Sequence, residues 1–506
     1  MQSDNRSDPF LRFLLDELFP TRLPYNRRIF TNRSLRLDKA EWIGFDMDYT
    51  LALYHPEMER LSFQRTMEKL VAKGYPEELA SFEYDASFAI RGLVIDLQRG
   101  NILKMDRYRH VSVVYHGFER VNDEERRRIY RKERMIFSKD RFYLLDTLFA
   151  LPEAYIFAKL VSFLESQARG PLDAERYSQL FHDIRGSIDE AHRDNSIKET
   201  IVSDLERYVL RDDKLALTLH KFRSAGKKLF LMTNSYYPYS DRVMSFLLDD
   251  ELPEYPSWRS YFDVIIVGAC KPGFFTDGQP FRRVNRDGTL SDEAVTQLQR
   301  GEVYQNGNLQ LFEAAIQARE DGILYVGDHI YGDILRSKKS TLWRTAMVVQ
   351  EMERELSLTE DLAGDFRRLR DLERERVQSA EELDRYHVLQ KSLARLLGGG
   401  EEEESGRELE PMLDEVRHRV NDLKGRQASL VAAARELEAK IDCAFNERWG
   451  KLFSQGVEHS QFGNQVEDYA CIYTSRVSNF LHYSPIHFFR SPRDPLPHEL
   501  ELLGAG

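Results

Sequence analysis

Short apolar runs of β-strand length recur along the chain, and each leads into a polar turn. They occupy residues 41–45, 229–232, 264–268, 323–326 and 343–349. Short apolar runs bounded by turn-forming residues are typical of buried strands. The connections between them are too long for hairpins, so we predict a parallel α/β sheet.

A long insertion separates the first run from the second. About 185 residues lie between them, far more than a crossover between parallel strands needs. Within this insertion, 92–97 and 101–105 flank Gln98-Arg99-Gly100 in the manner of a β-hairpin, and 110–115 is a further strand candidate. The spacing from 142 to about 219 is mostly helical, so we predict a mainly helical inserted domain.

Beyond residue 351 the composition changes to Leu, Glu, Arg and Ala over 359–397 and 407–445. In the second stretch a heptad register is held by Leu409, Leu413, Val416, Val420, Leu423, Leu430, Leu437 and Ile441. Three glycines and four glutamates at 398–404 separate the stretches, which predicts an antiparallel helical hairpin with a flexible turn. The two helices can bury their apolar faces against each other within one chain. A homo-oligomer formed through this hairpin is the open alternative.

Polar residues suited to phosphate chemistry directly follow four of the strand candidates. They are, in chain order, Asp46 and Asp48, then Thr233, Asn234 and Ser235, then Lys271, and finally Asp328 and Asp333. Ligands of open parallel sheets sit outside the carboxyl ends of the strands, so we expect these side chains to converge.

The residue types predict phosphoryl transfer. Asp46 can attack phosphorus to form an aspartyl phosphate, and Asp48, two residues later on the same face, can act as acid and then as base. Thr233 and Lys271 are expected to hold the phosphoryl oxygens. The amide of Asn234 and the hydroxyl of Ser235 also suit phosphate oxygens.

The four motifs, in this order, resemble those of the haloacid dehalogenase superfamily. In detail, 46–52, 233–235, 271–275 and 327–339 resemble the cytosolic purine 5′-nucleotidase family, which is specific for IMP and GMP. The resemblance covers most of the chain and implies a haloacid-dehalogenase-like Rossmannoid core with an inserted cap and a C-terminal helical hairpin. The expected divisions are a helical arm at 1–40, a core at 41–54 and 215–350, a cap at 55–214, a hairpin at 351–450 turning near 398–406, and a segment at 451–506 that packs back on the core.

The same resemblance implies a cofactor and a substrate pocket. Mg²⁺ would be held by Asp46, the Asp48 backbone carbonyl and Asp328, and Asp333 would orient these ligands without binding the metal itself. The pocket residues implied are Phe149, Arg185, Asp189, His192 and Lys198. In the family the aromatic stacks on the purine, the Arg and Asp read its edge, and the Lys assists phosphate binding or loop closure. We expect a phosphoric monoester hydrolase acting on IMP and GMP, with nucleoside phosphotransfer as an added activity.

Simpler interpretations stand beside these. Thr233, Asn234 and Ser235 are also good helix N-caps. Arg185 and Asp189, at i and i+4, also suit a surface ion pair, and Phe149 suits a core. A phosphatase for another small ester, or a low-activity interaction protein using the hairpin, are the alternative functions.

Composition bounds the cellular setting. With 506 residues and 42% hydrophobic content the chain can bury a large core, and its net charge of −12 argues against a nucleic-acid surface. Three dispersed cysteines favour a reducing compartment, and the polar N-terminus and the lack of an 18-residue apolar run argue against export or membrane insertion. We therefore expect a cytoplasmic enzyme.

Overall fold

A computed structural model of the chain describes residues 23–133, 135–137, 141–276, 278–285, 287–329, 341–399 and 403–492, together with Leu496 and Glu499. The chain divides into two compact units, Met1–Arg354 with Leu452–Gly506, and Glu355–Lys451. None of the helices in the described part of the chain is long and apolar enough to cross a membrane.

The strands of the described residues are, in chain order, β1 Phe30–Thr31, β2 Leu35–Arg36, β3 Trp42–Phe45, β4 Leu53–Tyr54, β5 Val94–Asp96, β6 Asn101–Met105, β7 Val111–His116, β8 Glu119–Arg120, β9 Phe142–Leu144, β10 Val209–Leu210, β11 Lys228–Met232, β12 Val264–Val267, β13 Phe281–Val284, β14 Leu290–Val295, β15 Val303–Asn306, β16 Ile323–Gly327, β17 Arg344–Val348, β18 Ser454–Gln455, β19 Glu458–His459, β20 Ile472–Thr474 and β21 Phe488–Phe489. The α-helices are α1 Pro56–Ala72, α2 Asp123–Tyr130, α3 Leu151–Ala168, α4 Ala174–Arg193, α5 Ser196–Ser203, α6 Leu205–Tyr208, α7 Leu215–Ser224, α8 Tyr237–Leu248, α9 Leu309–Ile316, α10 Met352–Asp361, α11 Ala363–Gly399, α12 Glu403–Phe445 and α13 Gln461–Tyr469.

The main sheet of the first unit has ten strands in the order β1-β20-β17-β16-β3-β11-β12-β15-β13-β14. The seven strands from β20 to β15 run parallel, and antiparallel strands flank them at both edges. All five predicted strands lie in the parallel part, so the α/β class with a parallel sheet at its centre is confirmed. The antiparallel strands at its edges, which make the sheet mixed, were not predicted. The four strands that precede the polar motifs are consecutive neighbours, β16-β3-β11-β12.

Close packing explains the residue choice at the centre of this sheet. Every residue of β3 is buried. A Cβ on Gly44 would lie 2.0 Å from the ring of Phe230 on the neighbouring strand, so a side chain there would displace that ring. Glycine at this position therefore lets β3 and β11 approach with an aromatic ring packed across them.

The inserted segment contains more strand than its helical spacing suggested. An antiparallel sheet of order β8-β7-β6-β5-β9 lies in this segment, and its strands β6 and β7 pack against α3. The hairpin at 92–105 is present, with Val94 opposite Leu103 and Asp96 opposite Asn101. Gly100 closes its turn at φ 66°, where a Cβ would lie 2.5 Å from the ring of Tyr177.

The two ends of the chain also contribute strands. The N-terminal arm, expected to be helical, is described only from residue 23, and there it forms short 3₁₀ turns and the strands β1 and β2. From the other end, β20 pairs in parallel with β17, so the C-terminal segment extends the main sheet.

The second unit contains two long helices, α11 and α12, packed together through an apolar seam. Leu393 of α11 and Leu413, Val416 and Val420 of α12 form one buried cluster. The remaining heptad positions of α12 follow the same face: Leu423, Leu430 and Ile441 are buried, and Leu409 and Leu437 are half-buried. The helices are also linked by ion pairs, including Arg419 to Glu382 at 2.6 Å.

Candidate functional site

Asp46 lies at the carboxyl end of β3, where the neighbouring strands fix its backbone and side chain. Its backbone N–H donates to the carbonyl of Val326 on β16 at 2.9 Å. Its Oδ1 accepts from the Met47 N–H at 2.8 Å and lies 3.0 Å from Lys271 Nζ. The Asp46 side chain is 12% exposed, so the carboxylate is oriented in a largely desolvated position.

Asp48 is held by hydroxyl groups on both of its oxygens. Tyr54 Oη donates to Oδ1 at 2.5 Å, and Ser235 Oγ donates to Oδ2 at 2.7 Å. Ser235 follows β11, so the first and second motifs meet through this bond. Hydroxyl bonds to an ionised carboxylate are among the stronger hydrogen bonds in proteins, and two of them fix the orientation of the carboxyl group.

The Thr233-Asn234-Ser235 turn organises the loops around it. Thr233 is fully buried, and its Oγ1 accepts from the Ser235 N–H at 3.0 Å. The Asn234 side chain bonds the Lys271 backbone twice, accepting from its N–H at 2.6 Å and donating to its carbonyl at 2.9 Å. The capping interpretation is not supported, because α8 begins after Tyr236 without a side-chain cap.

Lys271 brings the third motif to the first. The ammonium group is buried between Asp46 Oδ1 and the hydroxyl of Tyr325, to which it donates at 2.9 Å. The Tyr325 hydroxyl in turn donates to the Met232 carbonyl at 3.2 Å. This chain of contacts crosses β16, β3 and β11, so the position of Lys271 depends on the sheet itself.

Asp328 follows β16 and is 3% exposed. Its backbone carbonyl accepts from Arg91 Nη1 at 3.1 Å. Arg91, which comes from the inserted segment and is itself buried, forms a bidentate pair with Glu351 at 2.7 and 2.6 Å. No motif or periodicity in the sequence marks Arg91 as a functional residue. Asp333 lies outside the described residues.

The groups near the motif loops that could bind a cation offer oxygen atoms as ligands. Within the described ranges no group of three or more His, Cys, Asp or Glu side chains is placed to hold a metal ion. Asp46 and Asp328 do, however, follow adjacent parallel strands, since Phe45 pairs with Val326 in register. Two carboxylates and a backbone carbonyl fit Mg²⁺, which takes oxygen ligands and keeps several waters.

The implied pocket residues begin next to the first motif. The ring of Phe149 meets the ring of Tyr49 edge-to-face at 4.7 Å and that of His192 at 5.8 Å. Burial, reinforced by the nearby Lys198 charge, lowers the pKa of His192 to about 4, so this imidazole is neutral at physiological pH. The sequence-predicted Phe149 and His192 are therefore in contact, beside the loop that carries Asp46 and Asp48.

Arg185 has a different principal partner from the one its helical spacing suggested. Its Nη1 donates to Glu153 Oε1 at 2.6 Å and to the Tyr143 hydroxyl at 2.5 Å. Asp189 lies 3.7 Å from Nε, and its side chain is 51% exposed. Glu153 is 2% exposed, and burial raises its pKa to about 7 although Arg185 opposes the shift. Sequence reasoning did not identify Glu153 as a partner, because it lies 32 positions away on another helix.

Two further contacts join the inserted segment to the motif loops. Lys198 Nζ of α5 lies 5.6 Å from the ring centre of Tyr239 and 5.9 Å from that of Tyr236, both just after the second motif. Burial lowers the pKa of Lys198, and the charge of Asp48 opposes that shift. Near the fourth motif, His329 Nε2 lies 3.5 Å from Asp146 Oδ1.

Known proteins resemble this chain over nearly its whole length. The model of the 5′-nucleotidase family matches residues 29–501. A 5′-nucleotidase domain-containing protein 2 of Rattus norvegicus is 30% identical over 494 residues, covering 94% of this chain and 80% of its own. A 5′-nucleotidase domain-containing protein of Dictyostelium discoideum is 29% identical over 482 residues, which cover 94% of this chain and 75% of that protein.

A crystal structure from Thermotoga maritima, proposed to be a beta-phosphoglucomutase, aligns with 61% of this chain and 85% of its own at 13% identity and a TM-score of 0.22, too slight a likeness to bear on the fold. The family match, by contrast, spans all four motif strands and the inserted segment between them. The chain belongs to the 5′-nucleotidase family of phosphoric monoester hydrolases.

Proposed function

We propose that this chain hydrolyses purine nucleoside 5′-monophosphates, with IMP and GMP preferred, through an aspartyl phosphate. The observation that carries the proposal is the adjacency of β16, β3, β11 and β12. It accounts for the contacts of Asp46 with Lys271 and of Asp48 with Ser235, while Phe149 packs against the same motif loop.

Asp46 is the proposed nucleophile, and its fixed carboxylate supports an in-line attack on phosphorus. Lys271 and Thr233 hold the phosphoryl oxygens and offset their charge during transfer. Asp48 protonates the leaving 5′-oxygen and then takes a proton from the water that attacks the aspartyl phosphate. A nucleoside hydroxyl in place of that water would make the enzyme a nucleoside phosphotransferase.

Mg²⁺ is the proposed cofactor, with Asp46, the Asp48 carbonyl and Asp328 as ligands and Asp333 orienting them. When bound, Mg²⁺ neutralises charge between the Asp46 carboxylate and the incoming phosphate. Asn234 supports this arrangement indirectly, because its amide holds the loop that carries Lys271. A direct bond from Asn234 or Ser235 to phosphate remains a prediction.

Arg185 is the proposed reader of the purine edge. A guanidinium donates to the 6-oxo group, and a carboxylate accepts from N1–H, so a 6-oxopurine matches an Arg with an acidic neighbour. Asp189 and Glu153 both lie close enough to Arg185 to be that neighbour. Phe149 and His192 supply the apolar wall on which the base stacks, and Lys198 assists phosphate binding or closure.

Phosphate release from nucleoside monophosphates, sugar phosphates and p-nitrophenyl phosphate, with Asp46→Asn as the blank, tests the proposal. Preference for IMP and GMP supports both the chemistry and the pocket. Release from sugar phosphates alone would support the proposed phosphoryl-transfer chemistry but would show that the substrate is not a nucleotide. No release above the blank would favour an interaction protein that uses the α11–α12 hairpin.

Residence in the cytoplasm is also proposed. The proposal rests on the cysteine usage, because Cys270, Cys443 and Cys471 are too few and too dispersed for a disulfide framework. The substrate is the expected partner, without nucleic acid or membrane, and a homo-oligomer remains an alternative that size measurement would decide.

A further inference from the structure

A pair of buried tyrosines lies behind Asp48. Tyr54 is 3% exposed and Tyr239 is 7% exposed, and their hydroxyl oxygens are 2.9 Å apart. Tyr54 uses its only hydroxyl proton in the 2.5 Å bond to Asp48 Oδ1. The proton between the two tyrosines must therefore come from Tyr239, which makes a directed chain from Tyr239 through Tyr54 to Asp48.

The backbone of Tyr54 is fixed from two sides. Val209 of β10 pairs with Tyr54 in the two-stranded β4–β10 sheet, at the end of the inserted segment. The Gln350 side chain donates to the Tyr54 carbonyl at 2.9 Å. Tyr239 lies in the first turn of α8, directly after the second motif. The hydroxyl that meets Asp48 is thus held by segments outside the first motif.

We infer that Tyr54, supported by Tyr239, is a positioning residue that aims the Asp48 carboxyl at the leaving 5′-oxygen. The inference rests on the proposed acid and base role of Asp48. With the Ser235 hydroxyl bonded to Oδ2 and the Tyr54 hydroxyl bonded to Oδ1, the carboxyl group cannot rotate without losing a hydrogen bond. A correctly aimed proton donor matters most when the leaving group is a poor one.

Leaving-group dependence distinguishes this role from a merely structural one. A nucleoside 5′-alkoxide needs a proton as it departs, whereas p-nitrophenolate is a stable anion that does not. The value of kcat/KM reports steps up to the first irreversible one, so it isolates departure of the leaving group from hydrolysis of the aspartyl phosphate. We expect Tyr54→Phe to lower kcat/KM for IMP by about 10-fold to 100-fold and that for p-nitrophenyl phosphate by less than about 3-fold.

Tyr130→Phe is the matched control. Tyr130 is 5% exposed, donates to Asp96 at 3.0 Å and accepts from Asn101 at 2.8 Å, so it repeats the bonding of Tyr54 within the inserted segment. We expect Tyr130→Phe to leave the ratio of the two kcat/KM values unchanged. Tyr239→Phe keeps the bond from Tyr54 to Asp48 but removes the hydrogen bond that supports the Tyr54 hydroxyl. It should change the ratio of the two kcat/KM values in the same direction as Tyr54→Phe, by a smaller factor.

The outcomes separate this inference from the function on which it rests. An equal loss on both substrates, or a ratio no different from that of Tyr130→Phe, would overturn the positioning role while leaving the hydrolase intact. If Tyr54→Phe does not fold, the ratio measured for Tyr239→Phe decides in the same way. A wild-type protein inactive on both substrates would overturn the proposed function, and the role of Tyr54 with it.

Discussion

Replacement of Glu153 by Gln tests the electrostatics of the implied base pocket. Burial raises the pKa of Glu153 from 4.5 to about 7, with Arg185 offsetting part of the shift. The folded state therefore binds a proton that the unfolded state has released, and folding loses stability as pH rises from 4.5 to 7. A difference of about 2.5 pKa units corresponds to about 3 kcal/mol. Because the Glu153 side chain is 2% exposed, solvent screening reduces this free energy only slightly.

The assay is urea unfolding at several pH values between 4.5 and 7.5, in wild type and in Glu153→Gln. Gln cannot ionise, so the wild type should lose about 3 kcal/mol relative to the variant over this range. Tyr143→Phe is the control, because it removes the other short bond to Arg185 and leaves the carboxylate in place. Glu59→Gln should reproduce the effect, since burial also raises the pKa of Glu59 to about 7.

A flat difference between wild type and Glu153→Gln across this range would refute the reasoning. It would mean that Glu153 ionises at its ordinary pKa and that Arg185 compensates fully for burial. Glu153 could then serve as an ordinary charged partner of the base at any working pH. A difference of opposite sign would mean that the folded state stabilises the carboxylate.

Three further predictions concern the site. Lys271→Met should lower kcat by about 100-fold to 10,000-fold, because a buried counter-charge to Asp46 is lost, and circular dichroism should show an intact fold. Arg185→Ala should raise KM for IMP while leaving p-nitrophenyl phosphate unaffected; an equal loss on both would contradict a base-reading role. Arg91→Met should destabilise the protein by about 3–5 kcal/mol in thermal unfolding, because Glu351 loses its bidentate partner, and a change below about 1 kcal/mol would contradict that.

The motif strands could be predicted because each is a short buried run that ends in polar residues. The convergence of Asp46, Asp48 and Lys271 followed from a general property of parallel sheets. The hairpin at 92–105 was predictable for a similar local reason, since Gly100 supplies a turn residue at positive φ. In each case the decisive information lies within a few residues of the chain.

The contacts that escaped prediction join residues far apart in sequence. Arg91 reaches the Asp328 carbonyl across 237 positions, and Tyr54 reaches Tyr239 across 185. Neither contact leaves a periodic or motif signature. β14 was also missed, because it mixes apolar residues with Ser, Asp and Glu, none of its residues is buried, and its strand conformation depends on pairing with β13.

Identification of the phosphorylated residue tests the central claim most directly. Wild-type protein is mixed with IMP and Mg²⁺, quenched in acid during turnover, digested and analysed by mass spectrometry, with Asp46→Asn treated in parallel. We predict a phosphoryl group on Asp46 in the wild type and none in the variant. Phosphate release without a phosphoryl group on Asp46, or with one on another residue, would contradict the mechanism proposed for this chain.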